Sequence, residues 1–218
     1  MDLKESVAKQ FGAVAANYAT SFTHSQGPDL DRLVERAREL GARTALDAAC
    51  GGGHTAFALA KAGLETRAAD ITPEMVEQGR TIAKDRGLEI EFDLADVEAL
   101  PYDAGSFDLV VTRFAAHHFP NPAQAVSELI RVLRPGGTLL LSDIVSYEDP
   151  TADTFLQAME VLRDPSHVRD HRFDEWESMI AAAGGRAELV GTWPLHQPFD
   201  AWVERMQTPE PEVIVLRR

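Results

Sequence analysis

One short stretch, from Leu46 to Ala56, reads LDAACGGGHTA and constrains the fold of this chain more than any other. Three consecutive glycines follow an apolar run and precede a segment of helical composition, which predicts a strand that turns sharply into a helix. The spacing Gly51-x-Gly53-x-x-Ala56, with Asp70 at the end of the next apolar run, fits the loose pattern of dinucleotide-binding loops. The stretch therefore predicts a ligand-binding loop in an α/β protein and leaves the charge of the ligand open.

Short apolar runs alternate along the chain with segments of helical length. Thr72-Pro73 is a helix start signal that Asn121-Pro122 repeats, and Gly87 is a helix stop signal. The alternation predicts right-handed crossovers and a parallel sheet covered by helices on both faces, with the ligand beyond the carboxyl ends of the strands. The predicted strands are residues 44–50, 65–71, 90–96, 107–114 and 138–145.

The composition narrows the class of protein. A chain of 218 residues with 44% hydrophobic residues is long enough for one sizeable core, so we expect a single domain over residues 1–218. A formal net charge of −14 without a Lys/Arg run argues against a nucleic-acid partner. Cys50 is the single cysteine, which excludes an internal disulfide framework, and residues 1–20 lack the features of a signal peptide. Because no apolar window reaches membrane-spanning length, we expect a cytoplasmic protein without a membrane partner.

Acidic side chains at the predicted strand ends indicate the charge of the ligand. A carboxylate at Asp47 would oppose a pyrophosphate at the helix N-terminus, so a nicotinamide-dependent oxidoreductase is the weaker alternative. S-adenosylmethionine carries a sulfonium, an ammonium and one carboxylate, and its net positive charge suits such a loop. Asp70 is placed to accept from both ribose hydroxyls and Asp96 from the adenine amino group, with Ile71 and Val97 on the ring faces. Capping of helices and turns is the alternative for each acid, but three acids at successive strand ends favour the ligand.

Several segments resemble class I S-adenosylmethionine-dependent methyltransferases of the ubiquinone/menaquinone C-methyltransferase-like group. The resemblance rests on LDAACGGGHT, AADITPEMVE, DVEALPYDAGSFDLVVTRFAAHHF and ELIRVLRPGGTLLLSDIV, in this order and spacing. FGAVAANYATS near the N-terminus and the later LRDPSHVRDH extend it over most of the chain. It implies a Rossmann-like α/β fold with a seven-stranded, mostly parallel sheet between helices, of order 3-2-1-4-5-7-6 with strand 7 antiparallel. AELVGTW at 187–193 and EVIVLRR at 212–218 would be strands six and seven, although the family usually has a longer segment before the last strand.

The resemblance also implies a division of the domain and roles for single residues. It implies an N-terminal helical lid (1–40), a cofactor-binding core (44–145), a helical substrate lid (146–185) and C-terminal strands (186–218). In the family an aromatic residue of the N-terminal helix closes over the methionine end of the cofactor, and Tyr18 matches it, with a core aromatic as the alternative. The motif TRFAAHHF borders both cofactor and acceptor. The expected cofactor-binding residues are Tyr18, Asp47, Ala49, Gly51, Gly53, Asp70, Ile71, Asp96, Val97, Arg113 and Ala115.

Two adjacent histidines are candidates for acid–base chemistry. Methyl transfer from a sulfonium is an in-line displacement in which a neutral thioether leaves, so alignment and exclusion of water matter most and no metal is expected. A base is required where the acceptor must lose a proton. Histidine titrates near neutral pH, so His118 and His117 are the candidates for this base. For each of them the alternative is that it orders the loop through bonds to the backbone.

The segment RDPSHVRDH gathers basic and imidazole side chains. Helical spacing would place His167 and His171 on one face, as in some zinc sites, but without a nearby cysteine we discount zinc. We interpret the segment as a lid over the acceptor whose arginines hold an anionic or phenolic group, with a solvated polar helix as the alternative. The expected acceptor-binding residues are Phe11, Arg163, His167 and Arg169.

These features predict an enzyme that moves a methyl group from S-adenosylmethionine to a small, apolar or aromatic metabolite. A protein that binds the same cofactor for other chemistry, such as cyclisation or decarboxylation, is the alternative, because the cofactor motifs would persist unchanged. A nucleic-acid methyltransferase is disfavoured by the charge and because TRFAAHHFPNP lacks an Asn/Asp-Pro-Pro-aromatic box. The identity of the acceptor is not readable, since substrate choice resides outside the shared motifs.

Overall fold

A computed structural model describes residues 3–19 and 25–218, except for the side chains of residues 16–19. Within this part of the chain, five parallel strands form one sheet in the order β3-β2-β1-β4-β5. The order reverses between β1 and β4, and such a reversal opens a crevice at the carboxyl ends of the two strands. The strands are β1 (Thr44–Ala48), β2 (Glu65–Asp70), β3 (Ile90–Leu94), β4 (Phe107–Arg113) and β5 (Leu133–Ser142).

Helices connect and flank the strands. Thr72-Pro73 and Asn121-Pro122 begin two of them, as the start signals predict. In the part of the chain that the structure describes, no helix is both long and apolar enough to span a bilayer. The helices are α1 (Leu3–Ala19), α2 (Pro28–Glu39), α3 (His54–Lys61), α4 (Pro73–Asp85), α5 (Pro122–Arg131), α6 (Pro150–Arg163), α7 (Phe173–Ala182), α8 (Phe199–Arg205) and α9 (Glu210–Leu216), and a 3-10 turn spans Ala116–His118.

Alternating residues of the central strands enter two separate apolar clusters. Leu46 and Val110 pack with Leu129 of α5, whereas Ala45 and Leu109 pack with residues of α2 and α3. Because successive side chains of a strand point to opposite faces, the two clusters are the two sides of the sheet. The sheet is therefore covered by helices on both faces, as the strand pattern predicts.

The prediction of a seven-stranded sheet is wrong for the described residues. Residues 187–193 form no strand, with Leu189 and Val190 53% and 47% exposed, and residues 210–216 form α9. Pro209 and Pro211 explain the second difference, because proline favours a helix start and removes the N–H groups that a strand would pair. The segment 186–218, expected to hold strands, instead holds α8 and α9, and β5 lies at the edge of the sheet.

The N-terminal helix α1 lies over the carboxyl ends of the strands. It packs against α4, and the Gln10 side chain donates to the carbonyl oxygen of Met206, just after α8, at 3.1 Å. Lys4 binds the loop after β3. The helix thereby covers the crevice at the reversal of the strand order.

Candidate functional site

The loop between β1 and α3 requires glycine at two points for different reasons. Gly51 and Gly53 have φ angles of +51° and +85°, in the left-handed region that favours glycine. A Cβ at Gly53 would lie 2.9 Å from Cζ of Phe92, so this position is also closely packed. A Cβ at Gly51 would meet nothing within 4 Å. The loop backbone is therefore held tightly at Gly53 and faces open space at Gly51.

A cavity of about 110 Å³ lies beyond the carboxyl ends of β1, β2, β3 and β4, and we call it the cofactor cavity. The glycine loop, the residues that follow the other strands and the start of α1 form its walls. Gly53 does not line it, since its neighbours are Phe92 and Phe57. The structure brings together here the predicted residues Ala49, Gly51, Asp70, Ile71, Asp96, Val97, Arg113 and Ala115.

Asp47 lies beneath the loop and does not line the cofactor cavity. Its Oδ2 accepts from the backbone N–H of Ala56 at 2.9 Å, and the side chain is 1% exposed. Burial raises the pKa of Asp47 to about 7, although this hydrogen bond and the charge of Arg113 act against the rise. The carboxyl group therefore ties β1 to the first turn of α3 and supports the loop from below.

Asp70, the last residue of β2, holds the loop from the side. Its Oδ2 accepts from the N–H of Gly51 at 2.7 Å, and its Oδ1 accepts from the N–H of Thr72 at 2.9 Å. Burial raises the pKa of Asp70 against the effect of these hydrogen bonds. Each carboxylate oxygen has a second lone pair, so Asp70 retains the capacity to accept from ribose hydroxyls.

Asp96, after β3, is bound by a lysine that the sequence reasoning missed. Lys4 Nζ lies 2.6 Å from Asp96 Oδ2 and 2.6 Å from Glu98 Oε2. Burial tends to lower the pKa of Lys4, but the two carboxylates outweigh it and the pKa is raised. Asp96 therefore forms an ion pair that holds α1 over the cavity, in addition to the contact with the adenine amino group that the sequence predicts. No sequence signal marks Lys4, because its partners lie far along the chain.

Arg113 is the last residue of β4, and Phe114 follows it; both lie in the wall of the cavity. Arg113 Nε donates to Oδ2 of Asp29, in the first turn of α2, at 2.5 Å, and the guanidinium lies 4.5 Å from the centre of the Phe114 ring. Phe114 has a φ angle of +52°, in the left-handed region where residues other than glycine are uncommon. This backbone turn directs the Phe114 ring to the wall of the cavity.

Two aromatic residues of α1 were expected near the cofactor or the acceptor. Phe11 lines the cofactor cavity, and its ring meets that of His118 edge-on with 4.8 Å between centroids. The side chain of Tyr18 lies outside the described residues, so its expected role stays a prediction.

The adjacent histidines have opposite environments. His117 Nδ1 lies 2.6 Å from Asp143 Oδ1, and although burial lowers its pKa, the charges of Asp143, Asp170 and Glu160 outweigh it and raise the pKa to about 9. Burial and the charge of His117 lower the pKa of His118. At neutral pH His117 is therefore a cation and His118 is neutral.

His118 is fixed in one tautomer by its neighbours. Its Nδ1 lies 3.1 Å from the carbonyl oxygen of Ser166, so Nδ1 carries the proton and donates. Its Nε2 lies 3.8 Å from Asp164 Oδ2, beyond hydrogen-bond distance. A lone pair is therefore left on Nε2 of a buried, neutral imidazole.

A smaller cavity of about 40 Å³, which we call the second chamber, adjoins the cofactor cavity. The two share Phe114 and His118 as walls. The second chamber has many polar side chains in its walls and lies between the end of β4, α6, the last residue of α8 and the segment that precedes α8. Its walls are Phe114, His117, His118, Ile144, Glu160, Arg163, Asp170, Leu195, Gln197 and Arg205.

The segment that follows α6 is irregular, so the expected helical spacing of His167 and His171 is wrong. His167 Nε2 lies 3.0 Å from Gln157 Oε1, and Arg169 binds Asp153 at 3.0 Å. Neither of these two predicted residues lines the cofactor cavity or the second chamber. Arg163 does line the second chamber. Among the described residues, no group of three or more His, Cys, Asp or Glu side chains is arranged to hold a metal ion.

Comparison with known proteins identifies the family. A family model described as a methyltransferase domain matches residues 46–141. The uncharacterized methyltransferase YcgJ of Bacillus subtilis is 36% identical over 200 residues, which are 91% of this chain and 79% of YcgJ. Its crystal structure matches with a TM-score of 0.83 and 35% identity over 86% of this chain and 81% of that one. The crystal structure of a putative methyltransferase from Bacillus halodurans gives a TM-score of 0.83 and 36% identity over 87% of this chain and 83% of that one.

A third relative carries a more specific name. Demethylmenaquinone methyltransferase of Thermus thermophilus is 40% identical over 112 residues, which are 50% of this chain and 51% of that protein. The fold and the matches define a Rossmann-like methyltransferase. The chain belongs to the class I S-adenosylmethionine-dependent methyltransferases, as the sequence motifs predict.

The cofactor cavity fits S-adenosylmethionine. Gly51 presents bare backbone to open space, and the Asp70 carboxylate beside it is buried with a raised pKa, so a net positive ligand would stabilise its charged form. When bound, the cofactor supplies an electrophilic methyl group on its sulfonium.

Proposed function

We propose that this enzyme transfers the methyl group of S-adenosylmethionine to a small metabolite with an apolar or aromatic body, by in-line displacement. The observation that carries the proposal is that the cofactor cavity and the second chamber share Phe114 and His118 as walls. An acceptor that reaches both cavities would lie beside the methyl donor. This positioning, together with exclusion of water, is the main contribution that such a displacement requires.

The size and cover of the two cavities support a small acceptor. The second chamber, of about 40 Å³, leaves room for only a few atoms beside the cofactor cavity, and α1 lies over the opening of that cavity. The walls of the cofactor cavity include the apolar side chains of Val7, Phe11 and Phe119, which an apolar part of an acceptor could contact. The name of the Thermus relative, demethylmenaquinone methyltransferase, is consistent with a ring-containing acceptor.

The two histidines would act in different ways. His117 is protonated at neutral pH, so it would stabilise negative charge on the acceptor and could not act as the base that the sequence suggests. His118 would orient the acceptor through the lone pair on Nε2 and through its contact with Phe11. Its lowered pKa makes it a weak proton acceptor.

A labelling experiment tests the proposal. Enzyme, methyl-labelled S-adenosylmethionine and a metabolite extract should yield label in the small-molecule fraction. His118→Ala should lower this turnover about tenfold or more, with the affinity for S-adenosylhomocysteine changed less than twofold, since His118 acts on the acceptor side. Label confined to protein or nucleic acid would contradict the proposal, and so would cofactor binding without any transfer.

A further inference from the structure

A buried carboxylate in the wall of the second chamber has an oxygen without a hydrogen-bond partner in the described part of the chain. This atom is Oδ2 of Asp170, a residue that is 1% exposed. The backbone on either side is fixed, because the N–H of Asp170 donates to Gln157 Oε1 at 3.0 Å and its carbonyl accepts from Gln157 Nε2 at 2.9 Å. Buried polar atoms without partners are rare because they are costly. A group that enters the chamber and donates a hydrogen bond would remove that cost.

The charges around the chamber restrict the group that fits. Cations (His117, Arg163, Arg205) and carboxyls (Glu160, Asp170) lie in the same wall, so an ammonium or a carboxylate would meet a like charge as well as an opposite one. A hydroxyl group is both donor and acceptor, so it can donate to Asp170 while accepting from a cationic neighbour. A chamber of about 40 Å³ has room for a few atoms, which suits the polar end of a molecule whose body lies outside it.

We infer that the second chamber is the polar subsite of the methyl acceptor, that it takes a phenolic or enolic hydroxyl, and that Asp170 accepts the proton of this hydroxyl. The inference rests on the proposed function and adds the chemical class of the acceptor. The O–H bond breaks and its proton moves to Asp170 Oδ2. The electron pair left on oxygen, or on the carbon conjugated with it, forms the new bond to the methyl carbon. The C–S bond breaks with its electron pair kept by sulfur, which leaves as a neutral thioether, and Asp170 later releases the proton to water.

The electrostatic surroundings of Asp170 agree with this role. Burial raises the pKa of Asp170 to about 7, with further rises from Asp143 and Glu160 and opposing effects from His117 and Arg163. A base of this strength is matched to phenols and enols rather than to aliphatic alcohols, because proton acceptors work best near the operating pH. The positive charge of His117 would stabilise the oxyanion that forms.

Binding of model hydroxyl compounds tests the inference. Enzyme saturated with S-adenosylhomocysteine is titrated with 2-naphthol and with maltol, an enolic hydroxyl compound that keeps its proton at neutral pH, and separately with the methyl ether of each. The wild type should bind at least one hydroxyl compound about tenfold or more tightly than its ether, because the ether has no proton to donate to Asp170. Asp170→Asn should reduce that preference to less than about threefold. Asp174→Asn, which changes a carboxyl with 65% side-chain exposure, should leave it intact.

Each outcome separates the inference from the proposed function. Failure of the wild type to bind S-adenosylhomocysteine would overturn the proposed function. Two results on the wild type with that ligand bound would overturn the inference, whatever the variant does. One is equal affinity for each hydroxyl compound and its ether, and the other is tighter binding of benzylamine or benzoate. An Asp170→Asn protein that keeps both its thermal midpoint and the preference would overturn it as well.

Discussion

At the residue scale, two adjacent histidines acquire opposite charges because their neighbours differ. His117 faces the carboxylate of Asp143, whereas His118 faces a backbone carbonyl and the cation of His117 itself. One imidazolium and one neutral imidazole therefore lie side by side, with 4.2 Å between ring centroids. The positive member faces the second chamber, and the neutral member forms the wall between the two cavities. Their division of roles follows from contacts rather than from residue type.

Asp143→Asn should lower the pKa of His117 from about 9 to below 6.5, because burial would then act against fewer charges. The imidazole resonances in an NMR titration measure this shift. Removal of one partner of a buried ion pair should also lower the free energy of unfolding by about 3 to 5 kcal/mol at pH 7.

The sign of the pH dependence follows from both partners. His117, whose pKa is raised from 6.5 to about 9, contributes stability below pH 6.5 that is lost as the pH rises through 9. Asp143, whose pKa is lowered from 3.8, contributes stability above pH 3.8 that is lost in more acidic solution. The difference in unfolding free energy between wild type and Asp143→Asn should be largest between pH 3.8 and pH 6.5, where both partners contribute fully. A difference that is constant from pH 4 to pH 10 would contradict the assignment.

The residues at the strand ends could be predicted from the sequence, but several of their partners could not. Asp47, Asp70 and Asp96 are found at the ends that the pattern of short apolar runs indicates. Asp70 and Asp96 line the cofactor cavity, whereas Asp47 supports the loop from beneath, a difference set by which oxygen meets which backbone N–H. Lys4 and Asp170 were missed because their contacts depend on tertiary packing, which leaves no local signal.

At the element scale, the Phe92 ring of β3 links a helix to the glycine loop. A Cβ added at Gly79, within α4, would lie 2.8 Å from Cζ of Phe92, and one added at Gly53 would lie 2.9 Å from the same atom. The ring therefore occupies a space that two glycines leave open. Strand β3, helix α4 and the loop are thus held at fixed distances by one side chain.

Gly79→Ala should lower the free energy of unfolding by about 1 to 3 kcal/mol, although alanine is the better helix former. The reason is that the new methyl group would overlap with Phe92. Gly12→Ala is the matched control, since a Cβ there would meet the flexible carboxylate of Glu74 at 2.9 Å. Urea unfolding measures both. A Gly79→Ala protein as stable as the Gly12→Ala protein would contradict this packing.

Elements with strong local signals were predicted and those without them were not. β1 to β4 coincide with bounded apolar runs, whereas β5 (Leu133–Ser142) begins and ends earlier than the predicted 138–145; α4 and α5 begin at their Thr-Pro and Asn-Pro signals. The last strands were taken from the family resemblance, against prolines at 209 and 211 that favour the helix α9. The segment 164–172 has helical spacing of its histidines but is held instead by hydrogen bonds to Gln157 and to the backbone of His117.

At the scale of the whole molecule, the strand order decides where the chemistry takes place. The reversal between β1 and β4 opens the crevice that becomes the cofactor cavity, and α1 covers it through Lys4. The second chamber lies next to it, toward α6. A net charge of −14 and buried carboxyls beside the loop favour a donor with net positive charge.

Calorimetric titration with S-adenosylhomocysteine is the most direct measurement of the central claim, that the cofactor lies at these strand ends with its ribose on Asp70. The wild type should bind one equivalent. Asp70→Asn should bind about tenfold or more weakly, because the ribose hydroxyls would lose a charged acceptor. Glu65→Ala, which removes an exposed carboxyl at the opposite end of β2, should bind as the wild type does. Unchanged affinity in Asp70→Asn, or a wild type that binds a nicotinamide dinucleotide in preference to S-adenosylhomocysteine, would contradict the account.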